Sequence, residues 1–298
     1  MDQPVDFSYL YSKRGTMKLG LERIHAAAQE LAIDLVTKPR ILVAGTNGKG
    51  STAGFLWQIL RSHYGPQSVG LFTSPHLRHF RERFQVGDQP VADQTLAEEL
   101  DQIRSSLYPE LFDQLSFFEI NTLLALRVFE RVGTHIDIME VGLGGRLDST
   151  NICQAKASVI TTIGHDHEEF LGSTMAAIAG EKAGIIKPRT PVFWGEPHNT
   201  EADQVIRRQA AAQDAPLHRL AREEIAASGA PADWPYYLRQ NYALAQKVAQ
   251  HWGVDLPPAA HLGARPYCLR GRFQRLLWEG SPYLVDGCHN PEGVMALV

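Results

Sequence analysis

The chain is poor in cysteine, in unbalanced charge and in long apolar runs. Its 298 residues contain three cysteines, Cys153, Cys268 and Cys288, with no C-x-x-C pair and no even framework. That excludes a disulfide scaffold and points to a reducing compartment. No stretch approaches the roughly 18 apolar residues of a membrane span. The opening MDQPVDFSYLYSKRG lacks the basic-then-apolar layout of a secretory signal. With 29 basic and 33 acidic residues the net charge is −4, so there is no global attraction to nucleic acid or to an anionic membrane, and any phosphate must be handled by a local site. A cytoplasmic protein is expected. What is present in quantity is apolar material, 44% of the residues, which excludes disorder as the main state. At about 150 residues per domain the length predicts two domains.

Strand-like apolar runs alternate with longer amphipathic segments, which predicts an α/β fold with a mainly parallel sheet flanked by helices, as in P-loop NTPases. Strands are expected at 40–45, 69–72, 136–141, 157–163 and 191–194. Helices are expected at 49–63, 117–132, 174–186, 201–213 and 237–252, the last running up to the Pro257-Pro258 break. A hairpin is expected around Glu279-Gly280-Ser281-Pro282, with strands at 273–278 and 283–285. The Ala/Pro-rich stretch from Ala221 to Trp234 reads as a linker or a long surface loop. Turns after Val43, Val141 and Ile163 fall at carboxyl ends of strands, where open α/β sheets bind ligands.

The sharpest local signal is Gly45-Thr-Asn-Gly-Lys-Gly-Ser-Thr52 between strand and helix. Glycines let the backbone turn tightly and aim its N–H groups at an anion on the helix N-terminus. Thr46, Asn47, Gly48, Lys49, Gly50 and Ser51 would line such a site. Lys49 reaches a β- or γ-phosphate, and Ser51 or Thr52 serves a phosphate or metal. The run is not a strict Walker A motif, because Val43 stands where its first glycine belongs and Gly50 where its Ser/Thr belongs. A Gly-rich turn with an exposed lysine is the bland alternative. Gly142-Leu-Gly-Gly145 lacks the G-x-G-x-x-G spacing of a dinucleotide fold, and no acidic ribose partner is evident.

Glu140 ends an apolar strand, where a carboxylate is costly unless paired or bound to a cation. Ser74 offers an oxygen from a loop and His167 an imidazole. Together with phosphates, such a set suits Mg²⁺, which takes few protein ligands and keeps its waters. A zinc site at His165, His167 and Glu168 lacks partners at zinc spacing.

The loop GTNGKGS resembles the nucleotide loop of the dihydrofolate synthase and folylpolyglutamate synthase family, within the Mur-ligase superfamily. Further motifs follow in the family's order along essentially the whole chain. They are Lys18-Leu-Gly-Leu-Glu-Arg23, Thr73-Ser-Pro-His-Leu77, Glu82-Arg83-Phe84 and Glu140-Val-Gly-Leu-Gly-Gly-Arg-Leu-Asp-Ser-Thr-Asn151, then Asp166-His167, Glu181-Lys-Ala-Gly-Ile185, Gly271-Arg-Phe-Gln274 and Asp286-Gly-Cys-His-Asn-Pro291.

This resemblance implies magnesium ligation by Ser74, Glu140 and His167. It also implies that Lys182 is carbamylated by CO₂, a reaction that needs a desolvated, neutral amine, and that the carbamate helps organise a second Mg²⁺. Asn241 matches the asparagine near the nucleotide base. Arg272 and Asp286 match residues that close over ATP, the guanidinium meeting phosphate oxygens. The family run before Arg272 contains proline, whereas here Arg270 precedes Gly271. His289 either orients a reacting group or caps the next helix. The pterin site is implied at Lys18, Leu19, Gly20 and Leu21, at Phe118 and Glu119, at Leu147, Asp148 and Ser149, and at Ile185. From spacing alone, Leu19, Leu21 and Ile185 read as core, as apolar residues at helical spacing usually are.

The implied activity is ATP-dependent ligation of L-glutamate to dihydropteroate and to the glutamyl tail of folates through an acyl phosphate, by a monomer. Lys49, Lys182, Arg272 and His289 are the expected catalytic groups. The alternatives are a folylpolyglutamate synthase alone, or a nucleotide-binding module without ligase activity. The resemblance further assigns residues 1–268 to an ATPase domain and 269–298 to a hairpin and the beginning of a Rossmann-like glutamate-ligase domain. Relatives continue for on the order of 100 residues more, so a fragment, or a shortened protein with impaired ligation, is expected.

Overall fold

The computed structural model describes residues 7–13, 19–195, 199–256 and 270–297. Eight strands form one sheet: β1 (Arg40–Ala44), β2 (Val69–Phe72), β3 (Phe84–Val86), β4 (Gln89–Pro90), β5 (Ile136–Glu140), β6 (Ala157–Ile160), β7 (Val192–Trp194) and β8 (Leu217–Arg219). Their order is β4-β3-β2-β5-β1-β6-β7-β8. From β2 to β8 the neighbours pair in parallel, and β3 and β4 add an antiparallel edge. β9 (Gln274–Trp278) and β10 (Ser281–Val285) form a separate antiparallel hairpin.

The central strands are buried on both faces, so they read as continuous apolar runs rather than alternating ones. In β1, Ile41 and Val43 enter one core while Leu42 and Ala44 enter the other. The first core lies under helices Lys49–Tyr64 and Tyr236–His251, which supply Phe55, Leu56, Tyr242 and Val248. The second lies under helices Glu22–Glu30, Asp93–Ser106 and Phe117–Val132. Helix Phe117–Val132 starts on a Ser116/Glu119 capping box and stops at Gly133, whose φ of 77° is left-handed.

Three expectations need correction. Ala221 to Trp234 is not a linker: helix Arg222–Ala227 forms there, Ile225 is buried, and Trp234 stacks on Phe55 at 5.3 Å between ring centroids. β6 ends at Ile160, short of 163, because the next residues turn to hold the glycine loop; Thr161 Oγ1 donates to Asn47 O at 2.6 Å and Thr46 N to Thr162 O at 2.8 Å. Helix Met175–Ala183 is shorter than 174–186, since Thr174 accepts from Ala177 N–H as its N-cap and the helix stops at Gly184. Among the described residues no helix is long and apolar enough to cross a membrane. Cys153 is buried and unbonded, and Cys268 lies outside the described residues.

Candidate active site

Two cavities open at the carboxyl ends of β1, β2, β5 and β6. The first, about 560 Å³, is built on the glycine loop. Gly45 (φ 148°) and Gly48 (φ 85°) have backbones that L side chains avoid. A Cβ at Gly45 would lie 1.9 Å from Thr161 Oγ1, and one at Gly48 would lie 2.4 Å from Asn241 Oδ1. Asn241 on helix Tyr236–His251 is thus pressed against the loop. The Thr46 hydroxyl donates to Gly164 O (3.1 Å) and accepts from Gly164 N–H (3.0 Å), tying the loop to the segment after β6. Lys49 folds back so that Nζ donates to Gly45 O and Thr46 O, at 3.1 and 3.0 Å. Burial pulls its amine below the ordinary lysine value, against the opposing pull of Glu140 and Asp166.

Glu140 closes β5 and is buried. Its Oε2 accepts from Ser74 N–H at 2.9 Å, and its Oε1 lies 3.3 Å from where a Cβ on Gly50 would sit. The carboxylate therefore rests against the first turn of helix Lys49–Tyr64. Burial pushes its pKa up, and Lys49 and the Ser74 N–H pull it back. His167 lies at the same mouth, exposed, with a left-handed φ of 51° and Nε2 at 3.8 Å from Asp166 Oδ1. Lys182 is 3% exposed and faces the cavity. Burial, then the Lys49 charge, pull its amine down to about 7. Among the described residues no three His, Cys, Asp or Glu side chains gather as a metal cage. The donor set fits a magnesium ion that leans on phosphate oxygens and water.

The second cavity, about 570 Å³, is lined mainly by apolar groups, including Leu19, Phe117, Phe118, Leu143, Leu147 and Phe170. Ser74, Pro75, Gly142, Leu143 and His167 line both cavities. The two cavities therefore share a wall that includes Ser74 and His167.

No protein-family model matches the chain. It is 34% identical over 294 residues to the Escherichia coli dihydrofolate synthase/folylpolyglutamate synthase, covering 95% of this chain and 68% of that protein. It is 32% identical to a putative folylpolyglutamate synthase of Caenorhabditis elegans, over 93% of this chain and 58% of that one. A solved structure of E. coli FolC in complex with DHPP and ADP superposes with a TM-score of 0.80 at 30% identity, over 97% of this chain and 72% of that one. The chain belongs to the dihydrofolate synthase/folylpolyglutamate synthase family. It spans less than two thirds of the length of several of these relatives, such as 58% of the nematode protein and 65% of the Bacillus subtilis synthase.

On this family frame, the first cavity gathers Thr46, Asn47, Gly48, Lys49, Gly50, Ser51, Ser74, Glu140, His167, Lys182, Asn241, Arg272, Asp286 and His289. The second gathers Leu19, Gly20, Phe118, Glu119, Leu147, Asp148 and Ser149. Lys18 lies outside the described residues. Leu21 and Ile185 line neither cavity: Ile185 is wholly buried, and Leu21 packs on the core edge. Asp148 faces inward, where its oxygens accept from Gly142 N, Leu143 N, Thr150 N and Thr150 Oγ1 at 2.6–3.0 Å. Asp286 ties the hairpin to the body, accepting from Tyr237 OH (2.8 Å), Phe273 N (2.7 Å) and Cys288 N (2.9 Å). His289 does not cap the last helix, Pro291–Leu297; Asn290 does, its Oδ1 accepting from Gly293 N–H at 2.8 Å. Sequence reasoning passed over Asp166, Tyr237, Asn290 and Arg83. Three of these stand inside motifs of the family pattern, and Tyr237 carried no signal.

Proposed function

We propose that the protein joins L-glutamate to a pterin carboxylate with conversion of ATP to ADP and phosphate, acting on dihydropteroate and on the glutamyl tail of folates. The observation that carries this reading is the shared wall of the two cavities. A nucleotide on the glycine loop and an apolar acid in the second cavity would present the γ-phosphoryl group and the carboxylate to each other beside Ser74 and His167. The E. coli neighbour holding DHPP and ADP supports it, as does a bifunctional neighbour holding Mn, AMPPNP and L-glutamate.

In this reading the carboxylate oxygen attacks the γ-phosphorus and the bond to the β-γ bridging oxygen breaks, giving an acyl phosphate and ADP. The neutral amine of glutamate then attacks the acyl carbon, phosphate leaves, and the amine proton passes to solvent. The work of the protein is positioning and charge compensation. Lys49 leaves its two carbonyl partners for the phosphates, and Arg272 approaches them from the hairpin side. Ser74, Glu140 and His167 would hold Mg²⁺, which when bound screens the phosphate charge. Lys182, as the neutral amine, would add to CO₂ and lose one proton, giving an N-carboxylate able to serve a second Mg²⁺. We also take residues 1–268 as the ATPase unit and 269–298 as the hairpin and first helix of a second one.

The test is phosphate release from ATP as a function of dihydropteroate, tetrahydrofolate and L-glutamate. Release that requires both a pterin acid and glutamate is expected. Turnover with tetrahydrofolate alone leaves a folylpolyglutamate synthase, and ATP binding without glutamate-dependent release leaves a nucleotide-binding module.

A further inference from the structure

Arg272 stands between two residues with left-handed backbone, Gly271 (φ 67°) and Phe273 (φ 43°). Glycine takes that conformation freely, whereas a phenylalanine keeps it only where its surroundings impose it. Here they do. Phe273 N–H donates to Asp286 Oδ2 at 2.7 Å, and Cys288 N–H to Asp286 Oδ1 at 2.9 Å. Gly271 O accepts from Gly287 N–H, and Gly271 N–H donates to Gln274 Oε1, both at 2.8 Å. The start of β9 and the end of β10 are thus closed into one joint around the Asp286 carboxylate.

Tyr237 ties that joint to the body of the protein, its hydroxyl donating to Asp286 Oδ2 at 2.8 Å. Burial, then the Asp286 carboxylate, push the phenol pKa far above its ordinary value, so the hydroxyl remains a donor. Tyr237 and Asn241 are four residues apart on helix Tyr236–His251 and share a face, the face that presses Asn241 against Gly48. The Arg272 tip rests on the other side of the joint, where a Cβ on Gly287 would lie 2.6 Å from Nη1. Its charge is felt at both Lys49 and Glu140. The guanidinium therefore stands toward the glycine-loop end of the first cavity, which Arg272 and Tyr237 both line.

Resting on the proposed function, we infer that Tyr237 is a positioning residue, fixing through Asp286 the strained turn that aims Arg272 at the phosphates of the bound nucleotide. Asp286 then serves the nucleotide indirectly, its oxygens engaged by Tyr237, Phe273 and Cys288. The recognised chemistry is the phosphate chain of a nucleoside triphosphate. A guanidinium already held in place meets phosphate oxygens without first losing its freedom. Without the tyrosine hydroxyl the turn relaxes, and that advantage goes.

The experiment is calorimetric titration of the whole chain by AMPPNP with Mg²⁺, run as a double-mutant cycle on Tyr237 and Arg272. Arg272→Gln should weaken binding by on the order of 10-fold or more. Tyr237→Phe, which removes one oxygen, should weaken it about 3- to 10-fold, and the double variant should bind within about twofold of R272Q. Gly287→Ala needs no unusual backbone and moves only the flexible tip of Arg272, so it should repeat the Y237F loss and likewise add nothing to R272Q. A tyrosine that merely supports the fold would cost the same in either background, so additive losses overturn the inference, as does Y237F binding like the wild type. A wild type that binds AMPPNP while R272Q binds equally well also overturns it and spares the glycine-loop reading. A wild type that does not bind AMPPNP removes that reading and this inference with it. Should Y237F fail to fold, Asp286→Asn carries the same cycle.

Discussion

Asn47 and Asn290, 243 positions apart, exchange two side-chain hydrogen bonds: Asn47 Nδ2 donates to Asn290 Oδ1 at 3.0 Å, and Asn290 Nδ2 donates to Asn47 Oδ1 at 3.1 Å. Asn47 is the third residue of the glycine loop, and Asn290 is the cap of helix Pro291–Leu297. The same Asn290 amide donates to Asp166 Oδ2 at 3.2 Å, and Glu292 accepts from His165 N–H at 3.0 Å. The last helix is therefore fastened to the glycine loop and to the segment that carries His167.

Replacing Asn290 by alanine removes the cap and both loop contacts. Each lost hydrogen bond of this type is worth about 1 kcal/mol. Faster amide exchange over residues 287–297 and several-fold weaker ADP binding are expected, with the exchange of β1 and β5 unchanged. Equal exchange at 287–297 in variant and wild type would mean that the pair does not hold the helix.

Gly48→Ala confronts two obstacles. The left-handed φ of 85° costs an alanine about 1–2 kcal/mol, and its Cβ would stand 2.4 Å from Asn241 Oδ1. The loop must open away from helix Tyr236–His251. ADP affinity should fall at least about tenfold while the far-ultraviolet circular dichroism stays the same. Asn241→Ala relieves the contact, so the double variant should recover part of the loss; titration of both decides it.

What was legible in the sequence was local. The glycine loop, the strand ending in Glu140 and the long helices all follow from neighbours along the chain, so spacing and turn chemistry expose them. The edge strands β3 and β4 are three and two residues long, too short for a periodic signal. Ala221 to Trp234 looks like a linker by composition because the stacking of Trp234 on Phe55 joins the bend before helix Tyr236–His251 to a helix far away in the sequence. The Asn47–Asn290 pair and the Tyr237–Asp286 bond join distant segments, and no short window of sequence contains both partners. Ile185 and Leu21 went the other way, since an apolar residue beside a pocket motif has the same spacing as one in the core.

Lys182 makes stability depend on pH in a stated direction. Its folded amine is drawn down to about 7 from an ordinary value of 10.5. Between those values the unfolded chain binds more protons than the folded one, so stability rises with pH across that window and is lowest below pH 7. Lys182→Met abolishes this contribution, and should raise the thermal midpoint relative to wild type more at pH 6 than at pH 9. The neutral amine should also take up CO₂ above pH 7 and give a carbamate carbon signal in ¹³C-bicarbonate, absent from the methionine variant. A gain in midpoint that is equal at both pH values would show that the lysine is not titrating there.

Asp148 is the clearest case of a predicted pocket residue whose carboxylate builds the pocket wall. Burial pushes its pKa up while Thr150, Leu143 and Gly142 donors pull it back, and both oxygens face donors only. Asp148→Asn places an NH₂ group where every neighbour also donates, so at least one pair of donors is opposed at a buried site. The turn at Gly142 and Leu143 lies on the wall common to both cavities, so its displacement disturbs both together. Urea unfolding should give a loss of about 2–4 kcal/mol, and both ADP and dihydropteroate should bind more weakly. If the side chain met the pterin alone, D148N would weaken dihydropteroate and leave ADP affinity and the unfolding midpoint as they are in the wild type.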